Sequence, residues 1–249
     1  MNRFSNRVDS YRKYRPDYPA AVLDWLSAEA GLTTASIVAD VGSGTGISAK
    51  LFLDCGCAVY GVEPNDPMRL AAEDFLKEYQ KFRSVNGTAE ATSLGDNSVD
   101  FIVAAQAFHW FDVEKTAVEF RRILKPDGVL VLMWNQRDLD STPFLQEYEA
   151  FLRKYGTDYE KVAATYLLSP EKKAAMFTGG VHEASFPHGQ SMDFEGLKGR
   201  VLSSSYMPSE TDPSYGDMLV ELQQLFDKHA ENGQVRHVYN TVVYWGRIA

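Results

Sequence analysis

Only two cysteines occur in the chain, Cys55 and Cys57, one residue apart. A disulfide framework needs more, and a structural zinc site needs further Cys or His at set spacings, so a pair of reduced thiols is expected and no metal centre. Long apolar runs are also missing. None approaches the ~20 residues that a membrane-spanning helix requires. Positive charge is in deficit: 25 Lys and Arg stand against 34 Asp and Glu, for a formal net charge of −9. Such a surface has no general attraction for phosphate backbones, which argues against nucleic acid as the main partner. The opening stretch MNRFSNRVDSYRKYR is basic but leads into no apolar segment, so no secretory signal is expected. Together with the thiols this predicts a reducing, cytoplasmic location, no membrane association and small molecules as partners. Repeats and low-complexity linkers are absent too.

The rest is an ordered alternation. The 249 residues are 45% hydrophobic, enough for one sizeable core. ASIVADV (35–41), CAVYGVE (57–63), VDFIVAA (99–105) and GVLVLMW (128–134) read as strands, with KFRSVNG (81–87) a weaker one. Between them lie helical patterns. ISAKLFLDC (47–55) puts Ile47, Leu51, Phe52 and Cys55 near one face, with Gly56 placed to cap it. DPMRLAAEDFLKEY (66–79) has Asp66 as its expected N-cap and Pro67 in its first turn. VEKTAVEFRRIL (113–124) is stopped by Lys125-Pro126-Asp127-Gly128. Strands separated by helices of this length imply right-handed βαβ units and a parallel sheet, and near-continuous apolar strands imply cover on both faces.

Beyond residue 135 the pattern weakens. STPFLQEYEAFLRKYG, SPEKKAAMF and DPSYGDMLVELQQLFDKHA read as helices, VHEASFPHGQ and RHVYNTVVYWGRI as two further strands of the same sheet. One domain is expected over 1–249. It divides into an N-terminal lid (1–20), a ligand-binding core (36–135), cap helices with late core elements (136–234) and a final strand (235–248).

The loop Gly42-Ser43-Gly44-Thr45-Gly46 joins the first strand to the first of the core helices. Glycines here let the backbone turn and let a ligand approach, and the amides at the helix start can face an anion. A phosphate-cradling loop would end in Gly-Lys and then Ser or Thr, but Ile47 and Ser48 follow Gly46. The dinucleotide fingerprint needs a glycine where Ile47 stands. Glu63 ends the second strand and can accept both hydroxyls of a ribose. That serves NAD or any other adenosine ligand, so Glu63 does not separate them.

These stretches resemble the class I S-adenosylmethionine-dependent methyltransferases. VADVGSGTG is similar to their first motif, VEPNDPM to the second, NGTAEATSLGDNSVDFIVAAQAFHWFD to the segment through the fourth strand, and FRRILKPDGVLVLMWN to the fifth. YRKYRPDYP near the N-terminus and SSSY (203–206) resemble the methyltransferase type 11 group, which includes trans-aconitate methyltransferase-like proteins. The resemblance implies a Rossmann-like α/β fold: a seven-stranded, mostly parallel sheet with helices on both faces and a small helical cap. It implies S-adenosyl-L-methionine as cofactor and S-adenosyl-L-homocysteine as product.

Carried residue by residue, it sets Gly42, Gly44 and Gly46 against the methionine part of the cofactor and Asp40 near its amine. Glu63 takes the ribose hydroxyls, with Pro64 beside it, Met68 packs on the adenine, and Ala89 and Glu90 meet the adenine edge. Gln106 and Ala107 floor the reacting centre, while Tyr14 and Arg15 close over the cofactor. Tyr11, Tyr18, Phe108 and Trp110 add aromatic faces, which favour a sulfonium charge. His109 is the candidate base where the acceptor must lose a proton. Trp110, Arg137 and Tyr206 are candidate substrate contacts, and Arg137 or Arg200 would suit an acidic substrate.

The expected activity is methyl transfer to a small molecule, a carboxylic acid or other oxygen acceptor, by a monomer or homodimer. An NAD-dependent oxidoreductase is disfavoured by Ile47. A cofactor-binding protein without transferase activity stays open. Methylation of RNA or protein is disfavoured by the acidic charge and by the lack of an Asn-Pro-Pro-Tyr type motif after the fourth strand.

Overall fold

The computed structural model describes residues 14–160 and 169–248. The expected lid therefore lies outside the described residues as far as residue 13, and so does Tyr11.

Seven strands form one sheet: β1 (Ile37–Val41), β2 (Ala58–Val62), β3 (Phe82–Val85), β4 (Val99–Ala105), β5 (Leu124–Arg137), β6 (His182–Met192) and β7 (Val235–Gly246), in the order β3-β2-β1-β4-β5-β7-β6. β1 to β5 run parallel; β7 runs antiparallel to both β5 and β6. The helices are α1 (Ala21–Ala30), α2 (Ile47–Asp54), α3 (Asp66–Phe75), α4 (Val113–Ile123), α5 (Pro143–Tyr155), α6 (Pro170–Met176), α7 (Phe194–Leu202) and α8 (Tyr215–His229).

The strand alternation places the core on both faces. Phe101, Val103, Ala105, Val131 and Met133 pack on one side with Leu26, Leu51 and Phe52; Ile102, Ala104, Leu130, Leu132 and Trp134 pack on the other with Phe108, Phe120 and Ile123. A third cluster is the cap, where Leu145, Tyr148 and Leu152 of α5 meet Leu197 and Val201 of α7 and Met218 and Leu222 of α8.

Local chemistry starts most of these helices. Asp112, Thr142, Ser169 and Asp193 each accept a hydrogen bond from a backbone N–H in the first turn of the helix that follows. For α3 the cap is Asn65, not the expected Asp66: Asn65 Oδ1 accepts from Met68 N, while Asp66 pairs with Arg69 at 2.6 Å. Gly56 follows the last turn of α2 with φ +94°, a left-handed residue that the expected cap needs. Lys125-Pro126-Asp127-Gly128 does not separate α4 from its strand as a loop; it falls inside the long β5, where pairing with β4 is irregular between Val99 and Phe101. Helix α7 has no counterpart in the sequence reading, because Gly196 and Gly199 interrupt its apolar repeat.

Both cysteines are free thiols. Cys57 donates to the carbonyl of Thr33, and burial pushes its thiol up to about 12. Among the described residues no helix is long and apolar enough to cross a membrane.

Candidate active site

In the parallel part of the sheet, strand order reverses direction at β1, which pairs with β2 on one side and β4 on the other. Crevices at the carboxyl ends of such strands are where open α/β sheets bind ligands. A cavity of about 430 Å³ lies there.

The glycine loop forms its floor. Gly42 N and Ser43 N donate to the carbonyl of Val62, which fixes the loop across the ends of β1 and β2. A Cβ on Gly42 would lie 2.6 Å from that of Ala107, so only glycine lets the loop and the post-β4 segment meet. Gly44 has φ +55°, and a Cβ there would rest 3.5 Å from Met68 Sδ. Gly46 does not line the cavity. It packs on α3, where a Cβ would come within 2.8 Å of Leu76.

Two buried acids sit under and beside the loop. Glu63 lines the cavity, with its carboxylate accepting from Gly44 N at 2.9 Å and Asn65 N at 2.8 Å. Burial raises its pKa despite those two bonds. Asp40 is fully buried behind the wall. Ser48 Oγ donates to its Oδ2 at 2.7 Å, while Oδ1 has no hydrogen-bond partner. Burial, with a smaller contribution from nearby Glu63, pushes its pKa up to about 7. A buried carboxylate oxygen without a partner asks for a positive donor, which the ammonium group of an amino-acid ligand supplies.

Opposite this loop, Ala89 and Glu90 contribute to the wall. Their segment is tied down by Thr92, whose N and Oγ1 donate to Glu119 Oε1 at 2.7 and 2.5 Å. Hydrogen bonds from Arg122 hold the Glu119 carboxyl down at about 2. Glu90 in turn accepts from Asp112 N at 3.0 Å. Pro64, Met68, Gln106 and Ala107 also line the cavity. Gln106 turns the chain out of β4 with φ +56°, a conformation rare for a non-glycine residue, and its side chain donates to the carbonyl of Asn135 at 3.2 Å.

The N-terminal segment covers the opening from above. Arg15 and Tyr18 line the cavity, and Arg15 Nη2 donates to Ser203 O and Ser204 Oγ, each at 3.3 Å. Tyr14 stands behind them with its ring over Gly199, where an added Cβ would come within 2.1 Å of it.

Other candidates fall elsewhere. Trp110 lines the mouth and is 55% exposed. His109 is not part of the wall: its ring lies 4.9 Å from that of Trp110, and burial, then Lys172, lowers its pKa to about 4. Arg137 is likewise outside, bound to Glu149 at 3.0 Å and to Tyr159 at 2.5 Å. Tyr206 packs against Tyr159 in the cap. Its position does not bring it to the cavity either.

Two wall residues carry structural surprises. Asn135 donates to Asp17 O at 3.0 Å, accepts from Thr241 Oγ1 at 2.6 Å, and lies 3.2 Å from His188 Nε2, so one amide joins the N-terminal segment, β5, β6 and β7. Arg200, from α7, lines the cavity while only 7% exposed. The only sequence signal for Asn135 is its place one residue past the apolar run of β5.

The sequence profile of a family described as a methyltransferase domain matches residues 39–132. An uncharacterised methyltransferase-like protein of Schizosaccharomyces pombe is 28% identical over 98% of this chain and 94% of its own length. A second S. pombe methyltransferase is 33% identical over 71% of this chain and 66% of its own length. An uncharacterised methyltransferase of Mycobacterium tuberculosis is 38% identical, but over 54% of this chain and 53% of its own length. Among solved structures, a candidate type II methyltransferase from Anaeromyxobacter dehalogenans shares the fold with a TM-score of 0.72 at 22% identity, covering 94% of this chain and 98% of the other.

Proposed function

Because this chain belongs to the class I S-adenosylmethionine-dependent methyltransferases, we propose that it methylates a small molecule, a carboxylic acid or another oxygen acceptor, inside the cavity above β1 and β4. The observation that carries this reading is the enclosure of the site. A cavity of about 430 Å³, roofed by Arg15 and Tyr18 and walled by the cap residue Arg200, has the size of a small-ligand pocket and lies under cover.

The residues present suit the cofactor. The glycine loop would lie along its methionine part with the buried Asp40 carboxylate behind it, Glu63 would accept its ribose hydroxyls, and Met68, Ala89 and Glu90 would flank its adenine. Bound there, S-adenosylmethionine supplies a methyl group on a sulfonium, already an electrophile with a good leaving group. The protein's part is to align the acceptor and exclude water, and alignment of this kind is worth up to ~7–11 kcal/mol of barrier. Arg15, Tyr18 and Trp110 shape the entrance where that alignment is set. A carboxylate acceptor already carries the lone pair that forms the new bond and needs no base, which agrees with the absence of His109 from the wall.

The test has two arms. S-adenosylhomocysteine at about a hundred times its Kd should stabilise the protein by ~2.7 kcal/mol, and NAD should not. Labelled methyl groups should then pass from S-adenosylmethionine to one or more members of a panel of small acids, phenols and amines. Stabilisation by NAD alone, or transfer only to protein or RNA, would overturn the reading.

A further inference from the structure

Three arginines stand near the cap side of the cavity, and they differ in what they touch. Arg137 is neutralised by Glu149 at 3.0 Å. Arg15 reaches across to the carbonyl of Ser203 and the hydroxyl of Ser204. Arg200 makes no ion pair and no side-chain hydrogen bond among the described residues, although it is 93% buried and its Nη1 is fully enclosed. Its guanidinium lies 5.7 Å from the centre of the Tyr239 ring.

The groups around Arg200 carry no negative charge to match it. Tyr148 and His237 are both wholly buried. Burial keeps the Tyr148 hydroxyl protonated, and burial together with Arg200 keeps His237 neutral. His237 also has a buried Nε2 without a partner. A buried, unpaired guanidinium is a poor structural element, since its desolvation is not repaid within the protein. It is a good binding element when the missing anion arrives with a ligand, because its planar fork then bonds a carboxylate through two parallel N–H donors.

The fold sets this charge apart from the adenosine end. Glu63 and Asn65 approach the cavity from the end of β2, whereas Arg200 approaches from α7 in the cap, beside β7. The loop at Gly44 and Glu63 thus reach the cavity from the sheet, and Arg200 from the cap.

We propose that Arg200 is the anchor for a carboxylate of the acceptor, which makes the substrate a small organic acid. The inference rests on the methyltransferase reading.

The probes are phenylacetate, succinate and adipate, each paired with its primary amide and titrated into protein saturated with S-adenosylhomocysteine. Wild type should bind at least one acid about tenfold or more tightly than its amide, and Arg200→Gln should abolish that preference, as expected for loss of a charged bidentate contact. Arg200→Lys should retain part of it. Affinity for S-adenosylhomocysteine should stay within about twofold in both variants, and the Tm of the unliganded Arg200→Gln protein should not fall, since no ion pair or hydrogen bond of the side chain is broken and only the ring contact with Tyr239 is lost. Equal binding of acids and amides by wild type would overturn the proposal. So would an unchanged preference in Arg200→Gln, or a loss of S-adenosylhomocysteine affinity in its place, which would assign Arg200 to the cofactor carboxylate. Failure of wild type to bind S-adenosylhomocysteine at all would instead strike the functional reading beneath it.

Discussion

Asp40 shows how one side chain couples pH to ligand binding. Burial raises its pKa to about 7 in the unliganded protein, so near neutrality it is partly protonated. A cofactor ammonium would favour the carboxylate. Binding should therefore release a proton below pH 7, and affinity for S-adenosylhomocysteine should rise with pH up to about 7, by at most tenfold per pH unit. Calorimetry in buffers of differing ionisation enthalpy checks the proton release, and Asp40→Asn should remove it. Stability of the unliganded chain takes the opposite sign. The folded protein binds more protons than the unfolded one between the ordinary aspartate value of 3.8 and about 7, so this group lowers stability as pH rises through that window. Glu63 and His109 should separate as well. Glu63→Ala should weaken S-adenosylhomocysteine binding by about tenfold or more, whereas His109→Ala, at a residue outside the wall, should leave it unchanged in a thermal-shift titration. The places of Glu63, Gly42 and Gly44 on the cavity were legible in the sequence, because spacing after a strand determines where they sit; Gly46, read the same way, packs on α3 instead. The sequence named Arg137 and Arg200 alike as cations suited to an acidic substrate; that only Arg200 of the two reaches the cavity was not legible, since it depends on a helix whose apolar repeat Gly196 and Gly199 break.

At the level of elements, those same glycines explain what the pattern hid. Gly199 leaves room for the Tyr14 ring to lie against the backbone of α7. Substitution there should affect the lid before it affects the core. Gly199→Val should push Tyr14 aside and weaken S-adenosylhomocysteine binding, with the far-UV dichroism and the sheet unaltered; unchanged binding would show that the lid contact contributes nothing. Gly46 belongs to a different kind of joint. Its φ of +86° and the 2.8 Å approach of an added Cβ to Leu76 make it the tight joint where the loop enters α2 against α3. Gly46→Ala should lower stability by ~1–3 kcal/mol, read as a drop in Tm, because strained backbone and overpacking add. The core strands and helices β1 to α4 were legible from periodicity, since apolar strands buried on both faces leave few alternatives. Beyond β5, strands such as β6 alternate partly exposed residues and pair antiparallel, so their order in the sheet comes from tertiary pairing alone.

At the scale of the molecule, three tethers among the described residues connect the N-terminal segment to parts far away in sequence. Asn135 holds Asp17 O, Arg15 holds the Ser203–Ser204 turn, and Tyr14 rests on Gly199. All three converge over the same cavity, while the ladder from β5 through β7 to β6 is closed by backbone pairing and needs no ligand. Local opening free energies follow such differences in backbone pairing and burial. Hydrogen exchange should therefore respond unevenly to S-adenosylhomocysteine. Protection should increase in residues 14–20, in the glycine loop and in residues 199–206, because a ligand under the lid stabilises the state in which all three tethers are made. Amides of β5 and β7 should exchange at the same rate with and without it. Asn135→Ala removes one tether without touching the glycine loop, so it should reduce the added protection at residues 14–20 while leaving that of the loop in place. Loss of protection at both places together would mean that lid and loop open as one unit, and that Asn135 acts on the cofactor site directly.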